Sequence, residues 1–192
     1  MAFTQMFQRQ LNIVAGYFGR GMLVKVLPVA SGSENKAYAG RCGHINANGQ
    51  WAAGPVTGRK GPAMFIFRGV NQPDVTNDGY SGISGLYWWV SGNAQGFVTC
   101  IPATGGFELQ TTEFDTSQTY NNGDPLTVTS EGILTNSGAT PYSTFVVGFC
   151  APFTAYPENM RPAAGSAIGP VGTNAHGVRV LNFYTAFYPT SS

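Results

Sequence analysis

From Met22 onward, clusters of Gly, Pro, Asn and Ser cut the chain every few residues, so that only short stretches lie between them. Nine of these stretches, 22–27, 64–67, 86–90, 97–101, 107–114, 126–129, 133–135, 145–150 and 178–188, are rich in β-branched or aromatic residues. Short runs of that composition bounded by turn formers read as strands, and long runs of good helix formers, which a bundle requires, are missing. The expected class is all-β: a single compact domain over 1–192, built as a β-sandwich or in a β-barrel-like way. A chain of this length buries roughly 70% of the surface it exposes when unfolded, enough for one sizeable core.

Local patterns refine this expectation. In Phe107-Glu108-Leu109-Gln110-Thr111 apolar and polar residues alternate, as on a sheet with one wet face. Phe145-Val146-Val147-Gly148-Phe149 is apolar on both faces and reads as a central strand. Asn48-Gly49 and Asn122-Gly123 supply the positive φ angles that tight hairpins demand, and 91–96 is expected to close a hairpin between 86–90 and 97–100. Three stretches poor in strand signal, 47–62, 71–84 and 158–177, read as long loops, which in a binding protein are interface loops. At the N-terminus Phe3, Phe7, Leu11, Val14 and Phe18 recur at spacings of three and four until Gly16, Gly19 and Gly21 break the pattern. Residues 1–21 are therefore expected to form either a short helix or an arm reaching onto a neighbour.

Charge narrows the function. Only 10% of residues are charged, against about 25% in an average soluble domain, while 13 Phe and 9 Tyr are present. Little of the surface is defended by charge. Net charge is +1, but residues 1–68 hold eight Lys/Arg and one acid, Glu34, whereas 69–192 hold two basic residues and eight acids. Halves of +7 and −6 serve either head-to-tail contacts or an internal mixing of interleaved strands. Cys42, Cys100 and Cys150 are odd in number and widely spaced, which fits buried small hydrophobes and not a disulfide framework. The first twenty residues carry no basic leader followed by an apolar block, so synthesis in a cytoplasm is expected. No apolar run approaches the ~20 residues of a membrane span, and no Asn-x-Ser/Thr acceptor occurs.

The chemical motifs are weak. Cys42-Gly43-His44 offers two metal-capable side chains, but a zinc site wants four ligands and His176 is distant in sequence. Asp74-Val75-Thr76-Asn77-Asp78-Gly79 imitates the opening of a calcium loop, yet Gly85 stands where the bidentate Glu belongs. The glycines and serines of 79–85 have the wrong spacing for a nucleophile elbow. Glu113 and Asp115 share a face if their strand continues, and paired carboxylates are what glycosidases use. The cations of 59–68 flank a strand as solubilising residues more often than they bind nucleic acid. No cofactor, metal or nucleic-acid partner is expected.

A resemblance points further. Tyr120-Asn121-Asn122-Gly123-Asp124-Pro125-Leu126-Thr127-Val128-Thr129-Ser130-Glu131-Gly132-Ile133-Leu134-Thr135 runs aromatic, Gly turn, Leu-Thr strand, second Gly turn and short apolar strand, followed by Phe145-Val146-Val147-Gly148. Residues 40–75 add a short strand, the Asn48-Gly49 turn, a Gly/Pro loop and Met64-Phe65-Ile66-Phe67-Arg68-Gly69 leading to Pro73-Asp74-Val75. Together these resemble the capsid decoration, or cement, proteins of tailed phages. The resemblance implies a β-rich virion protein without catalytic residues. It implies a partner in the major capsid protein and in other copies of itself, as a small symmetric oligomer such as a trimer. It also implies manufacture in the host cytoplasm and a place on the capsid exterior, where repeated weak contacts add up by avidity.

Aromatic residues are the usual anchors of such contacts. The candidates are Trp51, Tyr80, Trp88, Tyr156 and Tyr188, with Phe3 and Phe7 on the N-terminal arm. Two rival readings stand beside this one: a tail-associated or lectin-like module stacking sugars on Trp88 and Trp89, and a glycoside hydrolase using Glu113 and Asp115.

Overall fold

The computed structural model of the chain describes residues 11–16, 25–55, 62–70, 96–140, 145–153, 168–173 and 178–186. Twelve strands appear among them: β1 Leu11–Gly16, β2 Lys25–Pro28, β3 Cys42–Ile45, β4 Trp51–Ala53, β5 Met64–Val70, β6 Phe97–Pro102, β7 Phe107–Thr111, β8 Pro125–Val128, β9 Leu134–Thr135, β10 Gly148–Cys150, β11 Val171–Thr173 and β12 Arg179–Thr185. The described helical structure is one 3-10 turn, Glu34–Lys36, and among the described residues no helix is long and apolar enough to cross a membrane.

The strands form two curled antiparallel sheets. One has seven strands in the order β1-β7-β12-β10-β8-β9, with β11 also on β12; the other has five in the order β2-β6-β5-β3-β4. Leu181 faces both Thr111 and Val171, and Tyr184 faces both Glu108 and Phe149, so β10 and β11 share the edge of β12 that β7 does not use. The fold is a sandwich of half-barrel character, as the turn-punctuated sequence requires.

Leu109, Leu126, Leu181, Phe183, Phe65 and Ile101 fill the space between the sheets, with the Phe65 and Phe183 rings 5.3 Å apart. A second apolar cluster lies on the other face of the five-stranded sheet, where Met64, Ile66, Val98 and Cys100 meet Leu27, Val29, Ala37 and Trp51. Consecutive residues of β5 thus point into different cores, which is why Met64-Phe65-Ile66 is apolar without alternation.

Several expectations change here. Leu11–Gly16 is a strand on β7, with a register shift between Ile13 and Ala15, not part of a helix or arm. Pairing with β7 satisfies the backbone groups on one side of this edge strand, and the spacing of Leu11 and Val14 does not reflect a helix. Residues 1–10 and 17–24 lie outside the described residues. Both edges of Phe97–Cys100 are taken, by β2 and by β5, so β6 has no edge left for a hairpin with 86–90. The short strand ahead of the Asn48-Gly49 turn is β3, whereas β4 and β11 were not anticipated and fall in stretches read as loops. Gln110 is buried, so β7 does not keep one wet face along its length. β10 does sit centrally, between β12 and β8.

Trp51 is wholly buried, and its indole N–H donates to the Met64 carbonyl at 3.1 Å. It is a core residue of the second cluster and not an interface anchor. A large ring with one polar atom is held inside when that atom finds an acceptor.

The turn between β8 and β9 is pinned to β3. The Cys42 N–H donates to the Gly132 carbonyl at 2.8 Å, and a Cβ on Gly132, whose φ is +79°, would lie 2.7 Å from the Cys42 carbonyl oxygen. Gly138 has a similar φ of +69° but nothing within 4 Å. Gly138→Ala should therefore cost only the left-handed penalty of about 1–2 kcal/mol, while Gly132→Ala adds a backbone clash and costs about 2–4 kcal/mol. Denaturant unfolding of the two variants checks this, and equal losses would contradict the close approach.

Candidate functional site

Among the described residues, Glu113, Asp115, Cys42 and His44, all nominated by sequence, make contacts within the fold. Glu113 follows β7 and is buried against Arg41, whose Nε donates to Glu113 Oε2; the two side chains are only 9% and 10% exposed. Arg41 also donates through Nη1 to the Glu131 carbonyl at 2.6 Å and lies 5.5 Å over the Tyr38 ring. Asp115 turns the other way, accepting from the backbone N–H and hydroxyl of Ser117, and these bonds hold its carboxyl below the usual range. The two carboxylates serve an ion pair and a turn, an arrangement in which neither faces a shared cleft with the other.

Cys42 and His44 lie on β3. Cys42 is buried in the inter-sheet core, and His44 Nδ1 is 3.0 Å from the Gly54 carbonyl, an acceptor that fixes the proton on Nδ1 in the neutral ring. Among the described residues no group of three or more His, Cys, Asp or Glu is arranged to hold a metal ion. All three cysteines are buried free thiols, as their odd number and spacing led one to expect. Burial, with the charge of Asp124 adding to it, pushes the Cys150 thiol up to about 12; burial also raises Cys100. The 74–79 loop and His176 lie outside the described residues.

Among the described residues, most of the exposed large apolar and aromatic side chains lie on strands. On the outward face of the seven-stranded sheet, Pro125, Phe149, Tyr184 and Glu108 stand directly opposite one another across β8, β10, β12 and β7. Directly opposed side chains on antiparallel strands lie on one face, so the four form a row across the sheet. Tyr184 is 51% exposed at its centre. One row along, Asn182 is fully buried and donates its two amide hydrogens to Glu108 Oε1 at 2.8 Å and to the Pro152 carbonyl at 2.7 Å. Both partners are acceptors, which fixes the orientation of the amide; its Oδ1 has no hydrogen-bond partner. Asn182 thereby holds the Glu108 carboxylate beside Tyr184.

A second surface lies at the β2 end of the five-stranded sheet. Val26 opposes Thr99 and Pro28 opposes Phe97, and all four side chains point to the side on which Ile101 enters the inter-sheet core. Val26 and Phe97 nevertheless remain 56% and 47% exposed. The seven-stranded sheet ends with β1, which lies against β5, two strands in from β2.

Of the nominated interface residues, Trp51 is core, and Phe3, Phe7, Tyr80, Trp88, Tyr156 and Tyr188 lie outside the described residues, as does Trp89. Tyr184, Phe149, Val26 and Phe97 were not nominated. The pair Phe183-Tyr184 did carry a signal, since of two adjacent rings on one strand only one can face inward.

The buried ion pair and the buried thiols yield measurable consequences. Arg41→Met leaves an unpaired carboxylate in the interior and should cost about 3–5 kcal/mol in denaturant unfolding, whereas adding Glu113→Leu should recover most of it. A loss below about 1 kcal/mol in the single variant would mean that the pair is effectively solvated. In the unfolded chain the Cys150 thiol ionises near 9.0 and in the folded chain near 12. Between those values the native state holds more protons, so stability should fall as pH rises from about 9 to about 12 and be insensitive to this group below that window. A stability that stays level across the window would contradict the burial. No family model, no curated protein and no solved structure matches this chain.

Proposed function

We propose that the chain is a structural virion protein that binds the outer surface of a tailed-phage capsid and stiffens it, acting as a small oligomer and without chemistry of its own. The observation that carries this reading is the row Pro125-Phe149-Tyr184-Glu108, an aromatic centre with a polar flank on a sheet face that folding has already made rigid. Interfaces are built around such anchors, and a preorganised sheet face loses little entropy on docking.

Two further features support it. Among the described residues, Glu113, Asp115, His44 and the three thiols are occupied in holding the fold. In addition, Val26 and Phe97 leave apolar surface exposed at a second place, which gives the protein one surface for the shell and another for its own copies. Many copies with two modest contacts each are retained on a lattice by avidity. The lectin-like reading rests on Trp88 and Trp89, outside the described residues.

Titrating purified protein onto undecorated capsids should give saturation at a fixed ratio to the major capsid protein. Tyr184→Ser, at an exposed position that leaves the core intact, should weaken binding by about tenfold or more while the unfolding midpoint stays put. Capsids that take up no protein at saturating concentration would end the decoration reading; binding that is indifferent to Tyr184→Ser would move the contact to another face.

A further inference from the structure

The sequence contains two Asn-Gly pairs, Asn48-Gly49 and Asn122-Gly123, and the fold treats them differently. Asn48 sits in the loop joining β3 to β4. The Asn46 N–H donates to the Gln50 carbonyl at 2.9 Å, and the Gly49 N–H donates to the Asn46 carbonyl at 3.0 Å. Gly49 has φ +75°, and no described residue other than glycine has a positive φ. Asn48 is therefore the third residue of a turn that runs from Asn46 to Gly49, and Gly49, its last residue, is left-handed and forms the bulge, so that Ala47, Asn48 and Gly49 make a three-residue hairpin loop and not a two-residue one. Asn46 Oδ1 accepts from the N–H of Asn48 at 3.0 Å and of Gln50 at 2.9 Å, so the loop is held from one side chain. The Asn48 carboxamide itself is exposed and makes no hydrogen bond among the described residues, and nothing lies within 4 Å of where a Cβ on Gly49 would stand.

At the second pair, Asn122 Nδ2 donates to the Ile168 carbonyl at 2.7 Å, across from β11, and the Gly123 N–H donates to the Cys150 carbonyl at 2.8 Å, at the end of β10. Both reacting groups are engaged, each with a different part of the chain.

We propose that Asn48 is a site of spontaneous deamidation in the folded protein and that Asn122 is protected from it. At Asn48 the Gly49 backbone nitrogen gives up its proton to solvent base and attacks the side-chain Cγ. The bond from Cγ to the amide nitrogen breaks, and ammonia leaves with the proton it gains from water. The resulting five-membered succinimide is opened by a water molecule at one of its two carbonyls, giving an aspartate or an isoaspartate at position 48. No oxidant or cofactor is involved: in sum the side-chain amide and one water give a carboxyl group and ammonia, with no change of oxidation state. A glycine on the nucleophile side leaves the approach sterically open. At Asn48 one turn hydrogen bond must be released for the attack; at Asn122 the side chain must leave Ile168 and the backbone must leave Cys150 as well.

The product matters to the fold on one branch in particular. Isoaspartate inserts a methylene into the main chain inside a loop whose two sides are tied together by Asn46, and it adds a negative charge at the β3–β4 end of the five-stranded sheet. The loss of loop geometry is transmitted to β4, whose Trp51 opposes Ile45 across the hairpin.

The test is peptide mapping by mass spectrometry of the full chain aged in warm, mildly alkaline buffer, together with enzymatic methylation specific for isoaspartate, in parallel folded and denatured samples. In the folded sample conversion at position 48 should exceed that at position 122 by about two- to tenfold, the factor expected from the one additional hydrogen bond to be broken. In denaturant the two rates should come together. Asn48→Gln should abolish the signal at that position. Folded rates that are equal, a faster Asn122, or a ratio that persists in denaturant would each overturn the proposal, the last by tracing the difference to the flanking sequence and not to the fold.

Discussion

Arg41 holds the two sheets together at the point where the chain most needs it. It sits just before β3 in the five-stranded sheet, pairs with Glu113 just after β7 in the seven-stranded sheet, and reaches the Glu131 carbonyl in the β8–β9 turn. Beside it, Ile66 N–H bonds the Arg41 carbonyl within one sheet, Leu134 N–H bonds the Glu113 carbonyl within the other, and the Thr111 hydroxyl crosses between them to the Gly40 carbonyl at 3.3 Å. A guanidinium in the interior is tolerable only when its donors meet acceptors in fixed geometry, so the positions of three separate segments are set together by a single side chain. Burying the pair adds little net stability compared with an apolar substitute; what it adds is a penalty for every arrangement in which those segments do not meet.

That junction explains how a chain of such short strands builds a core. Strands of two to four residues, such as β9, β4 and β8, gain little from their own ladders. They persist because the turn between β8 and β9 is docked on β3 by Gly132 and Arg41, and because β4 contributes Trp51 to a second core beneath the five-stranded sheet. Lys36 and Glu131, 2.9 Å apart but with Glu131 half exposed, add only a minor surface contribution at the same place.

The sequence made the class of fold legible because turn chemistry and strand composition are local. The burial of Phe145, Val146 and Val147 and of the three cysteines was legible from their apolar surroundings, although the central strand itself begins only at Gly148. What it hid were features that depend on long-range pairing. Leu11 and Val14 satisfy a helical period as well as a strand interrupted by a register shift, and only the partner β7 decides between them. Gly43 and His44 have no strand-like composition, yet β3 forms because β4 and β5 flank it. Glu113 and Asp115 looked like a pair of like charges two residues apart. Their separation follows from Arg41, 72 positions away in sequence. Trp51 was read as an anchor on size and neighbourhood, and a loop that becomes a strand reverses that reading. At the candidate interface, Tyr184 gained its exposure from Phe183 taking the inward position beside Phe65.

The lopsided charge of the chain acquires its meaning from the same junction. Both described ion pairs, Arg41 with Glu113 and Lys36 with Glu131, join a cation from the basic half to an acid from the acidic half. Opposite charge segregated along the sequence is thus partly neutralised inside the fold, since strands from the two halves interleave in one sandwich. Charge spent in this way is withdrawn from the surface. In a chain with 10% charged residues little charge is left over, and among the described residues Tyr184, Phe97 and Val26 are exposed apolar or aromatic groups. On the proposed reading these are where partners dock, and a row of side chains held across four paired strands would present one geometry to them.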